Sequence, residues 1–171
     1  MNRLNAKAIC LFAVMIALYV VLSTFLHIPT GIGNTWLDMG YVVYGLMLAL
    51  YGLPALIIGV VGVLLENVLF AGWISYSWIA GQVVVGLICG AVFKHTDSKW
   101  LCVIVSAFAC MLSIGIVKTA IEIWMGYGTW SIKLPMNGII SIIDCITLMF
   151  GYFIARTSML QNAVKPFLSD S

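Results

Sequence analysis

The sequence predicts an all-α integral membrane protein: six transmembrane helices in a single domain over residues 1–171, with both termini cytoplasmic. Three observations carry this expectation. The chain is 63% hydrophobic and 8% charged, whereas a soluble domain carries roughly 25% charged residues. Its mean hydropathy is +1.13, and its apolar residues fall into runs approaching the roughly 20 residues that a bilayer-crossing helix needs. Its cations are divided unevenly between alternate connections.

The first span is expected at 6–26. It follows Arg3 and Lys7 as a signal peptide would, but its apolar run is long and no small-x-small site follows, so it reads as a retained helix. The second, 40–51, is short for a bilayer and calls for tilt or shielding by its neighbours. "YGLP" at 51–54 makes a turn, with Pro54 suited to the first turn of the third span, 54–71. The remaining spans are expected at 76–94, 100–126 and 135–156.

Cytoplasmic flanks collect Lys and Arg. Placing both termini inside puts Arg3, Lys7, Lys94, Lys99, Arg156 and Lys165 there, six of the eight cations. Lys133 is left in an outer loop and Lys118 within a helix. The outer side is Gly-rich and aromatic. Its loop 27–39 lies within "HIPTGIGNTWLDMG", and "AGWISYSW" and "GYGTWSIKLP" face the same way. These segments hold Trp36, Trp73, Tyr76, Trp78, Tyr127 and Trp130. An aromatic belt at the headgroups is one reading. A ligand-facing lid, with Gly31, Gly33, Asn34 and Asp38 beside the rings, is the other, and a loop this long favours it.

Charges inside a bilayer cost about 2.5–3.5 kcal/mol each even on the lenient insertion scale, so they face the bundle interior and mark sites. Lys118 and Glu122 are four apart on one helix face. Glu66 lies near the outer end of the third span, Gln82 lies one turn below Trp78, and Asn137, Ser141 and Asp144 form a stripe on the sixth. All fall in the outer halves. That pattern describes a pocket open outward and closed inward, whereas a channel or proton relay needs polar residues through the whole depth. Whether Lys118 and Glu122 hold a ligand or only each other stays open. Ala13 and Ala17 give an A-x-x-x-A face and Gly86 and Gly90 a G-x-x-x-G face, spacings that let helices approach closely.

Several functions are excluded. The HExxH, GxSxG and phosphate-loop motifs are absent, so no catalytic residue set is visible. His27 and His95 lie on opposite sides and cannot share a metal. Cys10, Cys89, Cys102, Cys110 and Cys145 sit in apolar runs without a CxxC pair. Clustered cations that would bind nucleic acid are missing, and no cofactor is implied. A self-sufficient carrier and a non-transporting scaffold are the competing readings of the charges.

"GNTWLDMG" at 33–40, "LYGLPALIIGVVGVLLENVLFAG" at 50–72 and the helix from Tyr76 to Lys94 complete the picture. Over nearly its whole length the chain resembles a substrate-binding (S) component of an energy-coupling factor vitamin transporter, of the riboflavin-transporter-like branch. The resemblance implies an S-component bundle in a bacterial plasma membrane. It implies high-affinity binding of a small vitamin or vitamin precursor from outside, a flat heteroaromatic being favoured. Delivery would use a membrane coupling subunit docked through Ala13 and Ala17 and two cytoplasmic ATPases, so this chain is not itself an enzyme. Asn34, Trp36, Asp38, Glu66, Trp78, Gln82, Lys118, Glu122, Asn137 and Asp144 are then the substrate-binding candidates. The chain departs from the family pattern at Glu66, where Asp is more usual, and at Gln82 and Val85, where Lys and Glu are frequent.

Overall fold

The computed structural model describes residues 6–29, 36–157 and 160. In chain order the elements are α1 (Ala6–Phe25), strands β1 (His27–Pro29) and β2 (Trp36–Asp38), and α2 (Gly40–Tyr51). A 3-10 turn, Leu53–Ala55, leads into α3 (Leu56–Glu66), which runs on as a π-helical turn, Asn67–Ala71. Then come α4 (Tyr76–Phe93), α5 (Lys99–Cys110), a π-helical segment Met111–Lys118, α6 (Thr119–Trp124) and α7 (Trp130–Ala155). Because α5, the π segment and α6 join end to end, the helices make six rods. Five stretches, Ala6–Phe25, Leu53–Phe70, Tyr76–Phe93, Lys99–Trp124 and Trp130–Ala155, are long and apolar enough to cross a membrane.

The short rod is α2. Twelve residues rise about 18 Å, well short of a hydrocarbon core of about 30 Å. Shielding answers the mismatch. All of α2 but Leu46 is buried, with α7 as its main neighbour and α1, α4 and α3 closing the rest. Lipid offers apolar side chains no reason to leave it, so close contact between rods depends on small residues. A Cβ on Gly45 would meet the Leu148 carbonyl oxygen, and one on Gly151 would meet that of Val42. The Tyr44 ring lies against Gly59 and its hydroxyl against Gly86, while the Tyr19 ring lies on Gly62. Gly90 rests on the backbone of Gly52 and Leu53, so the G-x-x-x-G face of α4 serves packing inside the bundle.

Gly52 itself has φ +69° and closes α2 by donating its N–H to the Leu48 carbonyl at 3.0 Å, with Pro54 in the following turn as expected. At this same end Arg156 fastens α7 to the end of α4. Its Nη2 donates to the carbonyls of Phe93 (2.8 Å) and Thr96 (2.7 Å), and its Nη1 pairs with Asp97 at 3.0 Å.

The structure corrects the reading at three places. The loop 27–39 contains an antiparallel pair, with His27 opposite Asp38, Ile28 opposite Leu37 and Pro29 opposite Trp36. The last rod begins at Trp130 rather than 135, and Pro135 lies inside it. Pro135 was read as the helix start, yet it lies past the four free N–H groups of the first turn, and the helix runs through it without the bond its N–H would have made to the Ser131 carbonyl. Lys133 is therefore helical and not in a loop. The 100–126 span is not uniformly α-helical but widens into a π segment at its middle. All five cysteines are free thiols, Cys89, Cys102 and Cys110 buried in the core, Cys145 half-buried and Cys10 exposed.

Candidate functional site

The π segment ends on Lys118, and one turn later α6 presents Glu122 on the same face. Both are buried, at 4% and 8% exposure. Lys118 Nζ lies 2.7 Å from Glu122 Oε1 and also donates to Asn137 Oδ1 at 2.7 Å. Asn137 Nδ2 in turn donates to Thr119 Oγ1 (2.8 Å) and to Glu122 Oε2 (3.2 Å). Lys133, on the first turns of α7, reaches Glu122 Oε2 at 3.2 Å. Trp78 of α4 places its ring under the Lys118 ammonium, 4.5 Å from Nζ to the centroid, within the range of a cation–π contact. Two cations, one carboxylate and an amide thus satisfy one another across two rods, with the Trp78 ring of α4 closing the set from a third. Breaking such a set leaves a buried charge exposed to its full desolvation cost.

A second polar chain links α1, α2 and α4. Tyr44 donates its hydroxyl hydrogen to the Gln82 carbonyl at 2.9 Å, and Gln82 Nε2 donates to the Tyr19 hydroxyl at 3.2 Å. Asp38, at the end of β2, accepts the Gly40 N–H at 2.8 Å, where the strand turns into α2. A Cβ on Gly40 would meet Asp38 Oδ1, Ser23 and the Tyr19 ring at once, so glycine lets strand, α1 and α2 converge there. Asp144 of α7 lies within electrostatic range of both Asp38 and Lys118, and Tyr19 within range of Asp38, Glu66 and Asp144.

The sequence candidates therefore divide. Trp78, Lys118, Glu122 and Asn137 meet in one network. Gln82 bonds Tyr19 and Asp38 lies beside that ring at Gly40, while Asp144 is buried on α7 and Glu66 is half-buried, both within electrostatic range of the tyrosine. Asn34 lies outside the described residues, and Trp36 is placed only as backbone of β2. Of the remaining outer aromatics, Trp73, Tyr76, Tyr127 and Trp130 are exposed, the arrangement of an interfacial belt. Ala13 and Ala17 are exposed on α1 beside Val14 and Leu18, one apolar stripe along the rod.

Lys133, Thr119, Tyr19 and Tyr44 were not anticipated. The spacing of Lys133 to Asn137, one helical turn, was a usable signal for the first. Tyr19 lies deep in an apolar run, away from the headgroup level, and a buried tyrosine hydroxyl asks for a partner.

Comparisons with known proteins follow the same lines. A family model described as "ECF-type riboflavin transporter, S component" matches residues 3–149. A UPF0397 protein of Clostridium perfringens (strain SM101 / Type A) is 37% identical over 90 residues, covering 52% of this chain and 49% of that protein. One of Lactobacillus johnsonii is 34% identical over 95 residues, covering 55% and 51%. The chain thus spans about half the length of the curated relatives it matches. A crystal structure of FolT bound with folic acid superposes with a TM-score of 0.68 at 22% identity, covering 89% of this chain and 93% of that one, a likeness of fold.

Proposed function

Because the chain belongs to the family of ECF-type riboflavin transporter S components, we propose that it captures a small vitamin or vitamin precursor with high affinity from the outer face of the cell membrane. It then hands that cargo inward through an ATP-driven energy-coupling module. The chain itself is a transport subunit and not an enzyme. The observation that carries this reading is a pair of buried polar groups inside a largely apolar bundle: Lys118, Glu122 and Asn137 bonded to one another, and Gln82 and Asp144 with acceptor oxygens left over. A bundle that only needed to pack would have little use for five buried polar side chains, three of them ionisable. In this reading both termini lie in the cytoplasm, and β1, β2 and the aromatics Trp73 and Trp130 lie at the outer surface.

The direct test uses the purified chain in detergent, screened against water-soluble vitamins by thermal shift and by mass spectrometry of co-purified compounds. We expect one compound to raise the melting temperature with nanomolar to micromolar affinity. No binding by any of them, together with no coupling subunit captured from the native membrane, would sink the reading.

The exposed Ala13 and Ala17 are assigned to the coupling subunit, since small residues let a partner helix approach closely. Ala13→Trp or Ala17→Trp should then abolish vitamin uptake in cells while leaving the purified chain's vitamin affinity within about twofold, because neither side chain faces the bundle interior. Undiminished uptake by both variants would remove that assignment.

A further inference from the structure

Asp144 is 1% exposed, and neither carboxylate oxygen has a hydrogen-bond partner. Gln82, fully buried on α4, spends its Nε2 on Tyr19 and leaves Oε1 unpartnered. Idle buried acceptors are expensive, and native proteins keep few of them without a purpose. Geometry connects them through Tyr19: it bonds Gln82 directly, and Asp38, which meets the Tyr19 ring at Gly40, ends the strand β2 that packs against α7, the rod of Asp144. Tyr41 lies within electrostatic range of Asp144, and its hydroxyl too has no partner.

Lys118 is otherwise occupied. Its ammonium already meets Glu122, Asn137 and the Trp78 ring. Lys133, the other cation of the network, is held by Glu122 and sits part-exposed at the rim. The deep part of the site therefore offers a carboxylate and an amide oxygen beside the tyrosine hydroxyls, and its cations are spoken for.

We propose that Asp144 and Gln82 Oε1 form an acceptor edge that reads clustered N–H donors. The ligand's deep end is then a nitrogen heterocycle carrying an amino group or a positive charge. A carbonyl or carboxylate at that end would face two acceptors and be rejected, since an unpaired buried polar group discriminates far more strongly than a missing methylene. This rests on the vitamin-binding reading and adds the chemical class of its ligand. Asp144 then acts by accepting charge-assisted hydrogen bonds, which are shorter and stronger than neutral ones.

Matched pairs of compounds test it. The purified chain is titrated by calorimetry with thiamine against oxythiamine and with pyridoxamine against pyridoxal, which differ chiefly in an amino group replaced by a carbonyl. Riboflavin and folate complete the panel. The expected result is that the tightest ligand is an amino member, preferred at least about tenfold over its carbonyl partner. Asp144→Asn, the same size but uncharged, should erase most of that preference. Gln82→Glu keeps the acceptor, adds charge and should raise it, so a poorly folding Asp144→Asn does not stall the test. Tight binding that Asp144→Asn and Gln82→Glu both leave unchanged, or a preference for the carbonyl member, overturns the assignment alone. Absence of binding across the panel overturns it together with the vitamin-binding reading.

Discussion

Lys118→Met will destabilise the bundle by about 3 kcal/mol and abolish ligand binding. The substitution keeps the stem length and removes the charge. Glu122 is left buried at 8% exposure, with Lys133 and the Asn137 amide both on Oε2 and the Lys118 contact to Oε1 lost. Removing one partner of a buried pair typically costs about 3–5 kcal/mol. The low end is expected because Lys133 remains. The double variant Lys118→Met/Glu122→Gln removes both charges and should recover much of the lost stability, since paired apolar or neutral replacements of a buried ion pair are often tolerated. Ligand affinity, in contrast, should stay lost in the double variant. Thermal unfolding in detergent reads the first quantity and titration the second. A double variant that binds as tightly as the natural chain would show that the pair serves only itself.

Gly151→Ala will cost at least the upper end of the roughly 1–3 kcal/mol that overpacking a filled core incurs. A methyl there meets the Val42 carbonyl and the Leu46 amide, which are backbone and cannot rotate away. Gly45→Ala, on the facing rod, meets Leu148 in the same manner and should behave alike. The control lies on α7 itself. A Cβ on Gly138 meets nothing within 4 Å, so Gly138→Ala should be neutral, or stabilising by up to about 1 kcal/mol through helix propensity. Equal melting temperatures for Gly138→Ala and Gly151→Ala would mean that α2 and α7 do not depend on this close approach.

The rods were legible because hydropathy is a sum over many residues, and a few misplaced ones do not change it. Expected 40–51 is α2 as it stands, and 6–26 differs from α1 by one residue. Departures came where one residue outweighed the sum. Pro135 looked like a boundary and hid Lys133 in a loop. The π segment Met111–Lys118 leaves no mark on hydropathy, since its composition is as apolar as its flanks. The pairing of Lys118 with Glu122 was visible as spacing. The bond from Lys118 to Asn137 was not, because it joins residues nineteen apart whose meeting depends on how α7 docks. Tyr19 and Tyr44 escaped notice because aromatics in a membrane chain suggest the headgroup level first, whereas both stand on glycines deep in the bundle.

The π segment has a bearing on how insertions and deletions behave in this chain. Successive residues of an α-helix are turned by about 100° about its axis, and a π turn is one that has accommodated an extra residue. Loss of one residue within 111–118 would let the rod wind as a plain α-helix with little change in length. Because the π turn has already absorbed the extra residue, its removal leaves the rod beyond it in register, with Lys118 and Glu122 still facing Asn137. A one-residue loss in the plain helix Lys99–Cys110 has no such slack and would turn everything beyond it by about 100°. The two deletions, a few residues apart, should therefore differ sharply in what they do to the site.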